Sequence, residues 1–263
     1  MKKLRKYFVQ KLHKGMAVSL LAIMIIIVAA NLIKKDNEMS ERENRMLAQR
    51  PDVTMTDISD GKFMKDYESY VSDQFIFRDF WVSAKAKMDL LLGKNNSNGI
   101  YKGRSGYLIE DAKTPDEEHM AKNIEAINKL ADSGQVNVFT MIVPNAVCVM
   151  DNKLPAFAPV RDQAADLKAF GSRLSANVKQ IDLVSAFKGK RDAEQLYYRN
   201  DHHWTTNAAY LAFQKAAGTL GIDAGKVSYD RYTVSSEFVG TLAATSGYGA
   251  SKKDMIEIFT PNN

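Results

Sequence analysis

The sequence predicts an α/β layered domain with a parallel sheet, preceded by a transmembrane helix. Three observations carry this. Residues 16–33, MAVSLLAIMIIIVAANLI, are almost unbroken apolar sequence behind a basic leader. Helical and extended patterns alternate from residue 114 onward. The stretch 136–143 is apolar at nearly every position, as a strand covered on both faces by helices must be.

Lys2, Lys3, Arg5, Lys6, Lys11 and Lys14 form the leader, residues 1–15. Removing these six charges from the formal net charge of +5 leaves −1 for the remainder, so the basic balance is no argument for a nucleic-acid partner. Residues 16–33 are long enough to cross most of a ~30 Å hydrocarbon layer. Their basic flank predicts a cytoplasmic N-terminus, cell-membrane localisation and an extracytoplasmic C-terminal domain. A cleavable signal peptide is the competing reading, because Val28-Ala29-Ala30 offers small residues to a peptidase. A buried core helix is disfavoured by the basic leader and the missing polar face.

Residues 34–59 are charged and read as a juxtamembrane linker with little surface to bury; the extracytoplasmic domain is expected over 60–263. From residue 60 to 92, Phe63, Tyr67, Tyr70 and Val71, then Phe77, Trp81, Met88 and Leu92, suggest one or two amphipathic helices, broken near Gly61 and near residues 73–78. An aromatic stripe of this kind is expected in a core and not as a ligand platform. Two β-prone runs, Ile100-Tyr101 and Tyr107-Leu108-Ile109, flank Lys102-Gly103-Arg104-Ser105-Gly106 and predict a hairpin. A phosphate loop would need a Lys-Ser/Thr ending and a following helix.

Thr114-Pro115-Asp116 starts a helix expected to reach about residue 130. The strand at 135–143 closes with Pro144-Asn145, which puts Asn145 at the C-terminal edge where α/β folds bind ligands. A helix over 161–177 and a strand over 178–183 containing Asp182 follow. Thr205 should cap a helix over 206–220, ended by Gly218 or Gly221. Residues 235–249 read as a small-residue loop, and 254–259 as the start of a strand. Cys148, the only cysteine, lies in an apolar run and reads as a small buried hydrophobe, which excludes a disulfide framework.

The densest chemistry lies in Tyr197-Tyr198-Arg199-Asn200-Asp201-His202-His203-Trp204-Thr205. In an extended segment i and i+2 share a face, so Asp201 reaches His203 while His202 points away. A carboxylate accepting one ring N–H fixes the imidazole tautomer and supports its charged form. The bland alternative is a hydrogen-bonded pair stabilising the start of a helix, with Trp204 in the core. A metal site is disfavoured because adjacent histidines project in opposite directions, and neither metal nor other cofactor is expected.

The sequence resembles the DHHW protein family, related to SGNH-hydrolase-like proteins that O-acetylate alginate and other exported polysaccharides. The motif Asp201-His202-His203-Trp204 carries the resemblance. With it go Ser40-Glu41-Arg42-Glu43-Asn44-Arg45, Asp73-Gln74-Phe75, Phe77-Arg78-Asp79, Gly103-Arg104-Ser105-Gly106-Tyr107-Leu108, Val143-Pro144-Asn145 and Gly240-Thr241-Leu242. The resemblance implies acetyl transfer or ester hydrolysis on a surface polysaccharide. His203 would be general base and Asp201 its orienter; apart from the resemblance, substrate contacts are expected from Tyr198 and Asn145, and packing or substrate contacts from His202. The resemblance also implies a membrane-bound acyltransferase as partner. In the relatives the nucleophilic serine sits in a later Gly-Asp-Ser or Gly-Thr-Ser turn. This chain has no Gly-Asp-Ser; Ser246 is the nearest imitation, with Ser105 and Ser251 weaker. A truncated or catalytically incomplete member is therefore expected, and the alternative function is a non-catalytic anchored module that binds glycan or a partner.

Overall fold

The computed structural model describes residues 2–43 and 45–262; Asn44 of the resemblance and the side chains of the basic leader up to residue 10 lie outside the described residues. Two compact units result, Met1–Trp81 and Val82–Asn263.

In the first unit the helix Lys2–Ile33 contains the apolar stretch Lys11–Ile33, 23 residues with mean hydropathy 2.7 and none of them fully buried. That length is about 35 Å at the α-helical rise. The tract that composition reads as a linker is instead folded. Met39–Ser40 and Arg45–Met46 pair antiparallel, and Glu43 and Leu47 are buried. The charges are spent on one another. Arg45 grips Asp73 with both guanidinium nitrogens (2.8 and 2.6 Å) and Glu43 with Nε (2.7 Å), and Arg78 takes the second Glu43 oxygen at 2.5 Å. Gln74 accepts from the Asn37 backbone N–H and returns a hydrogen bond to the Asn37 carbonyl. Composition alone hides this, since a charged tract buries surface only when its partners arrive from another element.

The helices Lys62–Gln74 and Arg78–Leu91 appear with the expected break between them. Most of their aromatic stripe does not enter a core: Tyr67, Val71, Phe77, Trp81, Met88 and Leu92 are exposed, and Phe63 and Tyr70 are half-buried. Helical spacing gathers apolar residues on one face without determining what covers that face.

In the second unit Asn96–Ser97, Ile100–Lys102 and Leu108–Glu110 form the expected hairpin with one extra strand. The strands Val138–Met141 and Val178–Ile181 pair in parallel. The first is shorter and less buried than expected, with Met141 exposed. Asp182 is not inside the second strand. It follows the strand and caps the helix Leu183–Lys188 by accepting from Ser185 N at 3.1 Å. Asp116, two residues beyond the expected Thr114, caps Glu117–Asp132. The helix after 161 is confined to Gln163–Ser172.

Residues 235–249 are not one loop. Ser228–Phe238 is a strand paired antiparallel with Asp254–Asn262, and Thr241–Thr245 is a short helix. The core gathers Ile109, Val149, Leu183, Phe187, Leu196 and Tyr197, among others, with Trp204 packed against it. Cys148 is buried, and burial pushes its thiol up, away from a nucleophile's range.

Candidate active site

Residues 195–205 form a closed loop whose base is welded into the core. Tyr197 and Trp204 make an antiparallel bridge. Thr205 N–H donates to the Leu196 carbonyl (2.9 Å) and its hydroxyl to the Gln195 carbonyl (2.8 Å), while its oxygen caps Thr206–Leu220 through Ala208 N–H. Gly221, left-handed at φ 74°, ends that helix as expected. Tyr197 is fully buried. Burial pushes its phenol up, so it remains a donor, and it holds the Pro144 carbonyl at 2.5 Å.

The loop tip is set by Asp201. One oxygen, Oδ1, accepts both the His203 backbone N–H (3.0 Å) and His203 Nδ1 (2.6 Å). The other, Oδ2, accepts Thr241 N–H at 3.1 Å. Burial pushes the Asp201 carboxyl up, but the hydrogen bonds from His203 and Thr241 and the neighbouring His202 outweigh it and hold the group below its usual range. An ionised Asp201 only accepts, so the ring hydrogen sits on Nδ1 and Nε2 of the neutral imidazole carries the lone pair. The His203 side chain is 66% exposed.

The Asp201–His203 pair forms as the spacing suggests, but the segment is not extended. The bond from Asp201 Oδ1 to His203 N–H curls the chain into a side-chain-closed turn. His202 consequently does not point away. Its ring lies 3.9 Å from the His203 ring, centroid to centroid, and Nδ1 is 3.8 Å from Asp201 Oδ1. The objection that adjacent histidines diverge therefore fails. Asp201, His202 and His203 bring one ligand atom each within 4.8 Å of one another, a donor set suited to a divalent cation, although Oδ1 and Nδ1 are already engaged with each other.

Of the remaining candidates, Tyr198 is half-buried edge-on against Phe238 at 5.0 Å, and burial raises its phenol pKa. Asn145 is exposed at the start of the short helix Ala146–Val149, joined to the site loop through the Tyr197–Pro144 bond. Ser246 is fully buried. Its hydroxyl donates to the Leu242 carbonyl at 2.6 Å and receives Tyr248 N–H, so it serves the end of its helix. Ser105 occupies a left-handed turn at φ 59°. Among the described residues no serine hydroxyl is hydrogen-bonded to the His203 ring.

Sequence reasoning missed the residue that holds the loop from behind. Asp254, with no exposed surface, accepts Arg199 N–H (2.6 Å), Arg199 Nη1 (2.7 Å), Gln195 Nε2 (2.7 Å) and Asn200 Nδ2 (3.0 Å). Asn200, also fully buried, receives Gly240 N–H on its carbonyl oxygen. Gly240 has no room for a side chain, since a Cβ there would lie 2.3–2.7 Å from Asp201 Cβ, Oδ2 and Cγ. Nothing local in the sequence marks Asp254; Gly240-Thr241 was marked only by the resemblance.

A pH dependence follows from the lowered Asp201 pKa. A depressed carboxyl contributes its stability in full above the unfolded value, about 3.9, and loses it as pH falls through the folded value. Urea unfolding of the wild type should give a stability that changes little with pH above about pH 5 and falls below about pH 4. In Asp201→Asn that decline should be shallower; equal slopes in the two proteins would contradict the assignment.

Residues 102–254 match the family model of the SGNH hydrolase-like domain of the acetyltransferase AlgX. The probable alginate O-acetylase AlgJ of Pseudomonas fluorescens is 22% identical over 172 residues, covering 62% of this chain and 44% of that protein. Its counterpart from Pseudomonas syringae pv. tomato is 22% identical over 173 residues, 63% of this chain and 44% of that protein. The chain thus spans less than half the length of these curated relatives. The crystal structure of a DHHW family protein from Eubacterium siraeum is similar in fold, with a TM-score of 0.52 at 22% identity, over 64% of this chain and 56% of that one.

Proposed function

Because the chain belongs to the SGNH hydrolase-like family of the acetyltransferase AlgX, we propose that it takes part in O-acetylation of a cell-surface or cell-wall polysaccharide, by acetyl transfer or ester hydrolysis. The observation that carries this reading is the Asp201–His203 pair, with Nδ1 engaged at 2.6 Å and Nε2 left as the base. In the mechanism the family resemblance implies, Nε2 takes the proton of a serine hydroxyl, a nucleophile that the described residues do not place against the His203 ring, as its oxygen attacks the acetyl carbonyl, and Asp201 supports the resulting imidazolium. The imidazolium returns that proton to the departing donor group. A sugar hydroxyl then attacks the acetyl-serine, gives its proton to Nε2, and leaves with the acetyl group as the serine regains its hydrogen. Water in the same place makes the site an esterase. His202, Tyr198 and Asn145 are assigned to the substrate side of the loop.

In this reading residues 16–33 span the cell membrane, with the basic leader in the cytoplasm and the second unit outside, where polysaccharide is met. A membrane-bound acyltransferase supplies the acetyl group. Turnover of p-nitrophenyl acetate by the full chain, with acetyl ester on an added glycan followed by NMR, tests the proposal. Absence of both products would overturn it.

The engagement of Ser246 in its own helix end favours a second reading, an anchored module that binds glycan or a partner without turnover. That module would retain glycan equally well in His203→Ala. Detection of an acetylated serine by mass spectrometry would rule it out.

A further inference from the structure

We propose that the turn between the helices Lys62–Gln74 and Arg78–Leu91, with Phe77, Phe80 and Trp81, is an interfacial membrane anchor that fixes the first unit against the lipid headgroups. The inference rests on the reading of residues 16–33 as a membrane span.

The argument begins with depth. Ile76 N–H donates to the side-chain oxygen of Asn31 at 2.8 Å, and Lys34 Nζ reaches the Gln74 carbonyl at 3.3 Å. Asn31 lies two residues, about 3 Å of helical rise, from the end of the apolar stretch Lys11–Ile33. Lys34 and Lys35 follow Ile33 directly, and their ammonium groups stay at the headgroup level, so the last turn of the span lies at the edge of the hydrocarbon layer. The turn bonded to Asn31 is held at the same level.

The side chains displayed there suit that layer. Phe77 is 72% exposed, Phe80 62% and Trp81 47%, with the Phe80 and Trp81 rings edge to face at 5.1 Å. Phe77 holds this position at φ 54°, a left-handed conformation that a bulky residue adopts only where its surroundings compensate. The indole N–H of Trp81 is satisfied by the Ile76 carbonyl at 3.2 Å, leaving the ring free to enter an apolar layer without an unpaired donor. Aromatic rings, tryptophan above all, concentrate at this boundary of the bilayer. The bilayer is the occupant because the patch is continuous with the membrane helix through the Asn31–Ile76 bond; a second copy of the chain is the rival.

The chain has two tryptophans, and Trp204 packs near Phe187 at 6.1 Å in the other unit's core. The 263-residue chain in phosphatidylcholine–phosphatidylglycerol vesicles should therefore lose up to about half its tryptophan fluorescence when the lipids carry bromine near the headgroup. Bromine near the chain ends should quench less. The loss should disappear in Trp81→Phe and fall at least about twofold in the double variant Phe77→Ser, Phe80→Ser, with both variants still sedimenting with the vesicles. Protein that stays with the vesicles through an alkaline carbonate wash, yet shows equal quenching with and without Trp81, would overturn the proposal. So would Trp81 emission that shifts with protein concentration and not with lipid, the mark of a second copy. Loss of the wild type in the wash would overturn the span itself, and the anchor with it.

Discussion

Replacement of His203 by alanine is expected to lower kcat/KM for p-nitrophenyl acetate by about a thousandfold, within the 10²–10⁴ range of a general base. The protein should stay folded, because the His203 ring is mostly exposed and its backbone N–H, which alanine retains, keeps the turn with Asp201. Added imidazole should restore part of the rate by supplying a base to the vacated space. Asp201→Asn should also cost at least a hundredfold, since an amide in place of the carboxylate loses the charge that supports the imidazolium and no longer fixes the ring tautomer. Unchanged turnover in His203→Ala would remove the imidazole from the mechanism.

The largest loss of stability is expected at Asp254. Its carboxylate is sealed from solvent and satisfies donors from Arg199, Gln195 and Asn200. Alanine at this position strands those donors and leaves the Arg199 guanidinium partly buried without its counter-charge. Removal of one partner from such a pair costs about 3–5 kcal/mol, about 10 °C in Tm for a domain of this size. Acetyl-ester turnover should fall as well, because Asn200 ties Asp254 to Gly240 beside the Asp201 carboxylate. Glu118→Ala is the control: it breaks only an exposed i,i+4 pair with Lys122 and should cost less than about 0.5 kcal/mol. Thermal and urea unfolding of the three proteins decide the matter.

The contrast between these residues explains how far the sequence could be read. Asp201 and His203 are two positions apart, and local geometry is enough to pair them. Thr205 and Gly221 were legible for the same reason, since helix caps act over a few residues. Asp254 was not, because its partners lie 54 to 59 residues earlier and nothing periodic links them. The strand Ser228–Phe238 was missed because its serines read as loop; its stability comes from the paired strand Asp254–Asn262. His202 was misplaced by assuming an extended chain where one side-chain hydrogen bond makes a turn. Glu43 and Arg78, 35 residues apart, show the same limit in the first unit, where a supposed linker proved to be half of an ion-pair network.

Asp201 Oδ1 holds two things that belong to one residue: the backbone of His203 and its ring. Rotation of the imidazole breaks only the second of these. The berth it leaves keeps its shape, because the main-chain bond and the Thr241 contact hold the carboxylate where it was. A ring carrying a proton can swing toward a departing group and swing back without the loop having to refold around it. The moving part turns about two side-chain bonds and has a fixed home.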